Sequence, residues 1–64
     1  MPKTPKEMEK RINADGWKLD HIKGSHHQYK HPTKPGLVTI PFHDRPKDLS
    51  KKTVSSILKQ AGLK

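Results

Sequence analysis

The longest uninterrupted run of apolar residues in this chain is two, as in Leu37-Val38. A membrane-spanning helix requires about 20 consecutive apolar residues, and the apolar segment of a secretory signal requires at least about seven. Neither can be drawn in this sequence. We therefore expect a soluble, cytoplasmic protein without a membrane segment.

The same scarcity of apolar residues limits the core. Only 28% of the 64 residues are hydrophobic, while ordering a chain of this size costs on the order of 100 kcal/mol, about 1.5 kcal/mol per residue. Nearly every apolar side chain must contribute to one small core, so the sequence predicts a single domain over residues 1–64 without a deep cavity. Cysteine is absent, which excludes disulfides and thiolate zinc sites.

The charge of the chain indicates a class of partner. Fourteen Lys and Arg residues against six Asp and Glu residues give a net charge of +8 at pH 7, and the lysines run from Lys3 to Lys64 instead of forming a tail. A polyanion such as RNA is the natural partner of such a surface. A structural ribosomal protein or a DNA-binding protein is the alternative.

Both ends of the chain carry helix signals. The segment Thr4-Pro5-Lys6-Glu7 is typical of a helix start with a capping box, and Gly16 can end that helix. A second helix is predicted after Asp48 or Ser50, either of which can cap it. Its apolar residues recur at i, i+3, i+4 and i+7, namely Val54, Ile57, Leu58 and Ala61.

The first predicted strand follows the first helix. Trp17, Leu19 and His21 alternate with polar residues, as in a strand with one buried face. Ile22 breaks this alternation, so we expect a bulge or turn just before Lys23-Gly24-Ser25.

Two further strands are predicted before the second helix. The run that ends at His31 alternates between one face with His27, Tyr29 and His31 and another with His26, Gln28 and Lys30. Pro35-Gly36 favours a type II turn, and residues 37–40 form a short β-branched strand.

These elements predict an α+β domain of order α-β-β-β-α. The economical packing places two amphipathic helices on one face of a three-stranded antiparallel sheet. The other face is then exposed to solvent or a ligand. The expected core consists of Met8, Ile12, Trp17, Leu19, Val38, Ile40, Val54, Ile57 and Leu58.

The segment KGSHHQYKHP, residues 23–32, holds three of the five histidines. Metal binding by His26, His27, His31 and His43 is one interpretation, but neighbouring residues of a strand point to opposite faces and no HExxH pattern is present. We therefore predict neither a metal site nor a cofactor.

Two interpretations of the histidines involve RNA. In the first, the histidines belong to a passive RNA-binding surface, where lysines such as Lys34 supply charge, Tyr29 supplies a stacking face, and His21, His31 and His43 have no catalytic role. In the second, one histidine cleaves RNA without a metal. RNA carries its own nucleophile, the 2′-hydroxyl, so a base, phosphate-binding cations and assistance to the leaving oxygen are sufficient. Composition alone does not decide between these two.

An ordered set of motifs extends the argument. DGW ends the first helix, and G-S-H-H, K-H-P, a P-G turn, V-T-I-P and a final helix ending in ILKQAGL follow in order. Over nearly its whole length the chain resembles the HicA mRNA interferase toxins, the YcfA-like family. The resemblance implies a fold similar to a double-stranded-RNA-binding domain, ribosome-independent cleavage of mRNA, and neutralisation by a HicB antitoxin.

The resemblance also implies roles for particular residues. The family's catalytic histidine follows Gly-Ser at the start of the second strand, which corresponds to His26, the residue expected either to deprotonate the 2′-hydroxyl or to protonate the leaving group. Gly24 and Ser25 would shape the turn before it. From proximity and charge we expect three lysines to hold RNA phosphates, namely Lys18, Lys23 and Lys30. A monomer is expected in the absence of the antitoxin.

Overall fold

The computed structural model describes residues 2–42 and 48–64. Helix α1 spans Pro5–Ala14, strands β1, β2 and β3 span Lys18–Lys23, His26–Lys30 and Val38–Pro41, and helix α2 spans Lys51–Gln60. The strands form one antiparallel sheet in the order β1-β2-β3. This confirms the predicted α+β fold.

Both helices begin with the predicted kind of side-chain cap. The Thr4 hydroxyl accepts from the Glu7 N–H and the Glu7 carboxylate accepts from the Thr4 N–H, each over 3.2 Å, which completes the capping box. The N–H of Thr53 donates to the Ser50 hydroxyl over 3.1 Å, so Ser50 is the cap of α2. Asp48, the other candidate, does not have this role.

One cluster of buried side chains lies between the helices and the sheet. It contains Met8, Ile12, Trp17, Tyr29, Val38, Ile40, Val54, Ile57 and Ala61. Seven of the nine residues predicted for the core are in this cluster, and Leu58 is partly buried beside it. Tyr29 and Ala61 are additional members, and both are fully buried.

The prediction that Leu19 belongs to the core is wrong. Leu19 lies opposite Tyr29 on the helix side of the sheet, yet it is 47% exposed, and Ile22 on the same side is 54% exposed. Both helices pack against β3, at the opposite edge of the sheet from β1. Every residue of β1 is therefore exposed, because the helix layer does not extend over that edge strand.

The predicted turn follows β1 directly, at Gly24-Ser25, whereas the bulge in β1 lies earlier in the strand. Leu19 is paired with Tyr29 and His21 with Gln28, so the extra residue is Asp20 and not a residue near Lys23. A bulge of this kind shifts the alternation of side chains by one position. His21 consequently lies on the face opposite Leu19, whereas simple alternation places the two residues together.

Candidate active site on the open face of the sheet

The turn that precedes His26 is a tight two-residue connection. Lys23 and His26 are paired, with only Gly24 and Ser25 between them. Gly24 has φ +61°, as the first central residue of a two-residue hairpin turn requires. The Phe42 N–H donates to the Ser25 carbonyl over 2.7 Å and ties the end of β3 to this turn.

His26 begins the central strand, and its side chain lies on the face that the helices do not cover. We call this surface the open face. Its opposite neighbours are Lys23 on β1 and Pro41 on β3, and directly opposite residues of an antiparallel pair share a face. His26 is exposed to solvent. A reactive group here requires no cavity to reach a polymer that lies across the sheet.

The three predicted phosphate-binding lysines all lie on this open face, but at two ends of it. Lys23 is opposite His26 at one end, while Lys18 and Lys30 are opposite each other at the other end. Lys30 has a partner, since its Nζ lies 3.9 Å from a carboxylate oxygen of Asp20. All three lysines are exposed.

A carboxylate and a second histidine, which the sequence interpretation left out of the site, also lie here. Asp20 accepts a hydrogen bond from Nδ1 of His21 over 2.7 Å. This bond, together with the positive charge of Lys30, holds the pKa of Asp20 below its ordinary value. The sequence signal was the adjacent pair Asp20-His21, but only the bulge reveals that His21 shares a face with His26.

His27 lies on the helix side, opposite to His26. Its ring packs against the ring of Phe42 with 3.9 Å between centroids, and its Nδ1 is buried without a partner among the described residues. The two adjacent histidines therefore have separate environments, as the strand alternation predicts.

His31 is structural, and its placement on a passive RNA-binding surface is wrong. Its side chain is 9% exposed. Nε2 donates to the Asp15 carbonyl over 2.8 Å, and Nδ1 accepts from the N–H groups of Thr33 and Lys34 over 3.0 and 3.1 Å. The ring also packs edge-on against Trp17. These contacts join the end of α1 to the segment after β2.

Tyr29 and Lys34, which the passive interpretation also placed on the RNA-binding surface, make structural contacts. Tyr29 is buried and donates from its hydroxyl to the Glu9 carboxylate, and burial followed by this bond raises the pKa of Tyr29. It offers no face for stacking on a base. The Lys34 ammonium donates to Asp15 over 2.5 Å and to the Ala61 carbonyl over 3.1 Å.

The described residues contain no group of three or more His, Cys, Asp or Glu side chains placed to hold a metal ion. His43, one of the four histidines in the metal interpretation, lies outside them. Within those same ranges, neither helix is long and apolar enough to cross a membrane.

Comparison with known proteins gives concordant results. A family model described as the HicA toxin of bacterial toxin-antitoxin systems matches residues 5–63. The search of curated proteins found no match to the chain. A solved structure of a toxin-antitoxin complex from Streptococcus pneumoniae contains a chain that is 38% identical, with a TM-score of 0.79; the match covers 97% of this chain and all of that one. This protein therefore belongs to the HicA toxin family.

Proposed function

We propose that this toxin is a metal-independent endoribonuclease, an mRNA interferase, and that His26 is its catalytic residue. The observation that carries the proposal is the position of His26, exposed at the start of the central strand on a face that also displays Lys18, Lys23 and Lys30. A phosphate held by Lys23 would lie beside the imidazole. Family membership supports the same assignment.

The chemistry requires little from the protein. His26 removes the proton from a 2′-hydroxyl, whose oxygen attacks the adjacent phosphorus and displaces the 5′-oxygen of the next nucleotide. A general base contributes about 10²- to 10⁴-fold to such a reaction. The lysines position the backbone by charge, which gives little dependence on sequence.

Cleavage of end-labelled single-stranded RNA in EDTA tests this function. Wild-type protein should cut the RNA, whereas His26→Ala and His26→Gln should bind it without cutting, with circular dichroism showing that both variants are folded. Lys10→Ala, which alters an exposed residue of α1, is the control. Binding without cleavage by every protein, wild type included, would instead identify a non-catalytic RNA-binding module. Equal cleavage by the wild type and all three variants would exclude His26 as the catalytic residue.

We also propose that a HicB-type antitoxin silences the enzyme by covering His26 and the basic open face with an acidic surface. The net charge of +8 and the similarity to a chain from a toxin-antitoxin complex support this partner. In the complex, His26 should be inaccessible and RNA should not bind. An inactive complex in which His26 remains open to solvent would contradict masking.

A further inference from the structure

We propose that His21 is a second catalytic residue, the general acid that protonates the leaving oxygen, and that Asp20 positions it. This inference rests on the proposed function, in which His26 acts as the base. It assigns a chemical role to an aspartate-histidine pair that lies on the same face as His26.

The bulge brings the two histidines onto one face. His21 is opposite Gln28, and Gln28 and His26 are two residues apart on β2, so His21 is the diagonal neighbour of His26. Diagonal neighbours of an antiparallel pair lie about 7–8 Å apart. Two long side chains at that separation can reach opposite sides of one phosphodiester.

The hydrogen bond to Asp20 determines which nitrogen of His21 is available. Because the carboxylate can only accept, Nδ1 carries a proton and donates it to Asp20 over 2.7 Å. Nε2 is then the atom that exchanges a proton with a substrate. The side chain of His21 is 51% exposed, so RNA can approach it.

The surrounding charges decide which histidine is the acid. Among the described residues, His21 has a carboxylate partner, which balances the positive charge of a protonated ring, whereas His26 has none. His26 instead faces the ammonium of Lys23 across the strand pair. Within residues 2–42 and 48–64, Lys18 and Lys30 are the other cations on the open-face strand positions, and Lys30 contacts Asp20. We therefore assign the acid to His21 and the base to His26.

The reaction balances without another reactant. His26 takes the 2′-hydroxyl proton as the 2′-oxygen forms its bond to phosphorus. The bond between phosphorus and the 5′-oxygen breaks, and Nε2 of protonated His21 supplies the proton that converts the leaving oxygen to a hydroxyl. The products are a 2′,3′-cyclic phosphate and a 5′-hydroxyl end, and the proton that His26 gained returns to His21 through solvent.

A substrate with a sulfur leaving group tests the assignment. RNA in which sulfur replaces the 5′-bridging oxygen at one cleavable position expels a thiolate, which does not require protonation. His21→Ala should lose roughly 10²-fold or more in the cleavage of ordinary RNA, but should cut the sulfur substrate at nearly the wild-type rate. His26→Ala should lose activity on both substrates, because the 2′-hydroxyl still needs its base.

Asp20→Asn provides a second variant that keeps the size of the side chain. It should slow cleavage of ordinary RNA and retain cleavage of the sulfur substrate, as His21→Ala does. Asp48→Asn, at an exposed position just before α2, is the matched control and should change neither rate. Misfolding would slow the cleavage of both substrates equally. A loss confined to ordinary RNA therefore cannot result from misfolding.

The possible outcomes are distinguishable. Equal loss on both substrates, or no loss in His21→Ala, would overturn the role of His21 and leave the proposed function intact. If the sulfur substrate restored cleavage by His26→Ala but not by His21→Ala, the two roles would be reversed and the assignment would be overturned. Failure of the wild-type protein to cut either substrate would overturn the proposed function itself.

Discussion

The main-chain N–H of Phe42 donates to the carbonyl of Ser25 over 2.7 Å, at the point where β3 meets the turn between β1 and β2. His26, the residue we propose as the base, follows Ser25 directly. Its backbone is held in place by pairing with both neighbouring strands. A catalytic group on a sheet is held more precisely than one on a loop.

The geometry of this turn predicts a specific effect of Gly24→Ala. Gly24 has φ +61°, but an added Cβ would have no neighbour within 4 Å, so the cost is confined to the backbone, about 1–2 kcal/mol of unfolding free energy. Gly36→Ala is the matched control, because Gly36 has φ +80° and an added Cβ there would also have no neighbour within 4 Å. Both variants should lose similar stability in urea unfolding, and only Gly24→Ala should also slow RNA cleavage. Equal cleavage by the two would show that the turn does not position His26.

The open-face lysines should differ in their contribution to RNA binding. Lys30 lies near Asp20, whereas no ion pair involves Lys23 within residues 2–42 and 48–64. Each phosphate contact to single-stranded RNA contributes about −0.7 to the slope of log K against log salt. Lys23→Ala should reduce the magnitude of the measured slope by about that amount, Lys30→Ala by less, and the control Lys10→Ala not at all. A larger effect at Lys30 would contradict this order.

The exposure of Leu19 predicts an unusually small effect on stability. Replacing Leu19 by Ala should cost less than about 1 kcal/mol, because its side chain is half exposed at the edge strand. Ile40→Ala, at a fully buried position of β3, should cost about 2–5 kcal/mol. Urea unfolding at pH 7 measures both variants. Comparable losses would show that Leu19 is covered in solution.

Asp15 makes part of the stability dependent on pH. The hydrogen bond from the Lys34 ammonium, together with its positive charge, lowers the pKa of Asp15 despite partial desolvation. Because the folded pKa is the lower one, this contribution is fully present above the ordinary aspartate value of about 3.9 and is lost as the pH falls through the folded pKa.

Lys34→Met should therefore reduce the loss of unfolding free energy that accompanies acidification from pH 7 to pH 3. The control Lys10→Met, on the exposed side of α1, should keep the wild-type loss. Urea unfolding at the two pH values measures the difference. An unchanged acid dependence in Lys34→Met would show that Lys34 does not stabilise the Asp15 carboxylate.

The sequence alone determined the local structure of this protein. The caps at Thr4 and Ser50, the turn at Gly24-Ser25 and the apolar spacing of both helices depend on residues close together in the chain, so the order α-β-β-β-α follows from local rules. The position of His26, directly after that turn on the second strand, follows in the same way.

Tertiary structure decided which edge of the sheet the helices leave uncovered and which face each β1 side chain occupies. Leu19 is exposed because both helices pack toward β3, a preference that no local pattern contains. The bulge at Asp20 is defined only by pairing with β2, since an extra residue exists only relative to a partner strand. That pairing places His21 on the face of His26, so the composition of the candidate site was decided by pairing between strands and not by a pattern within β1.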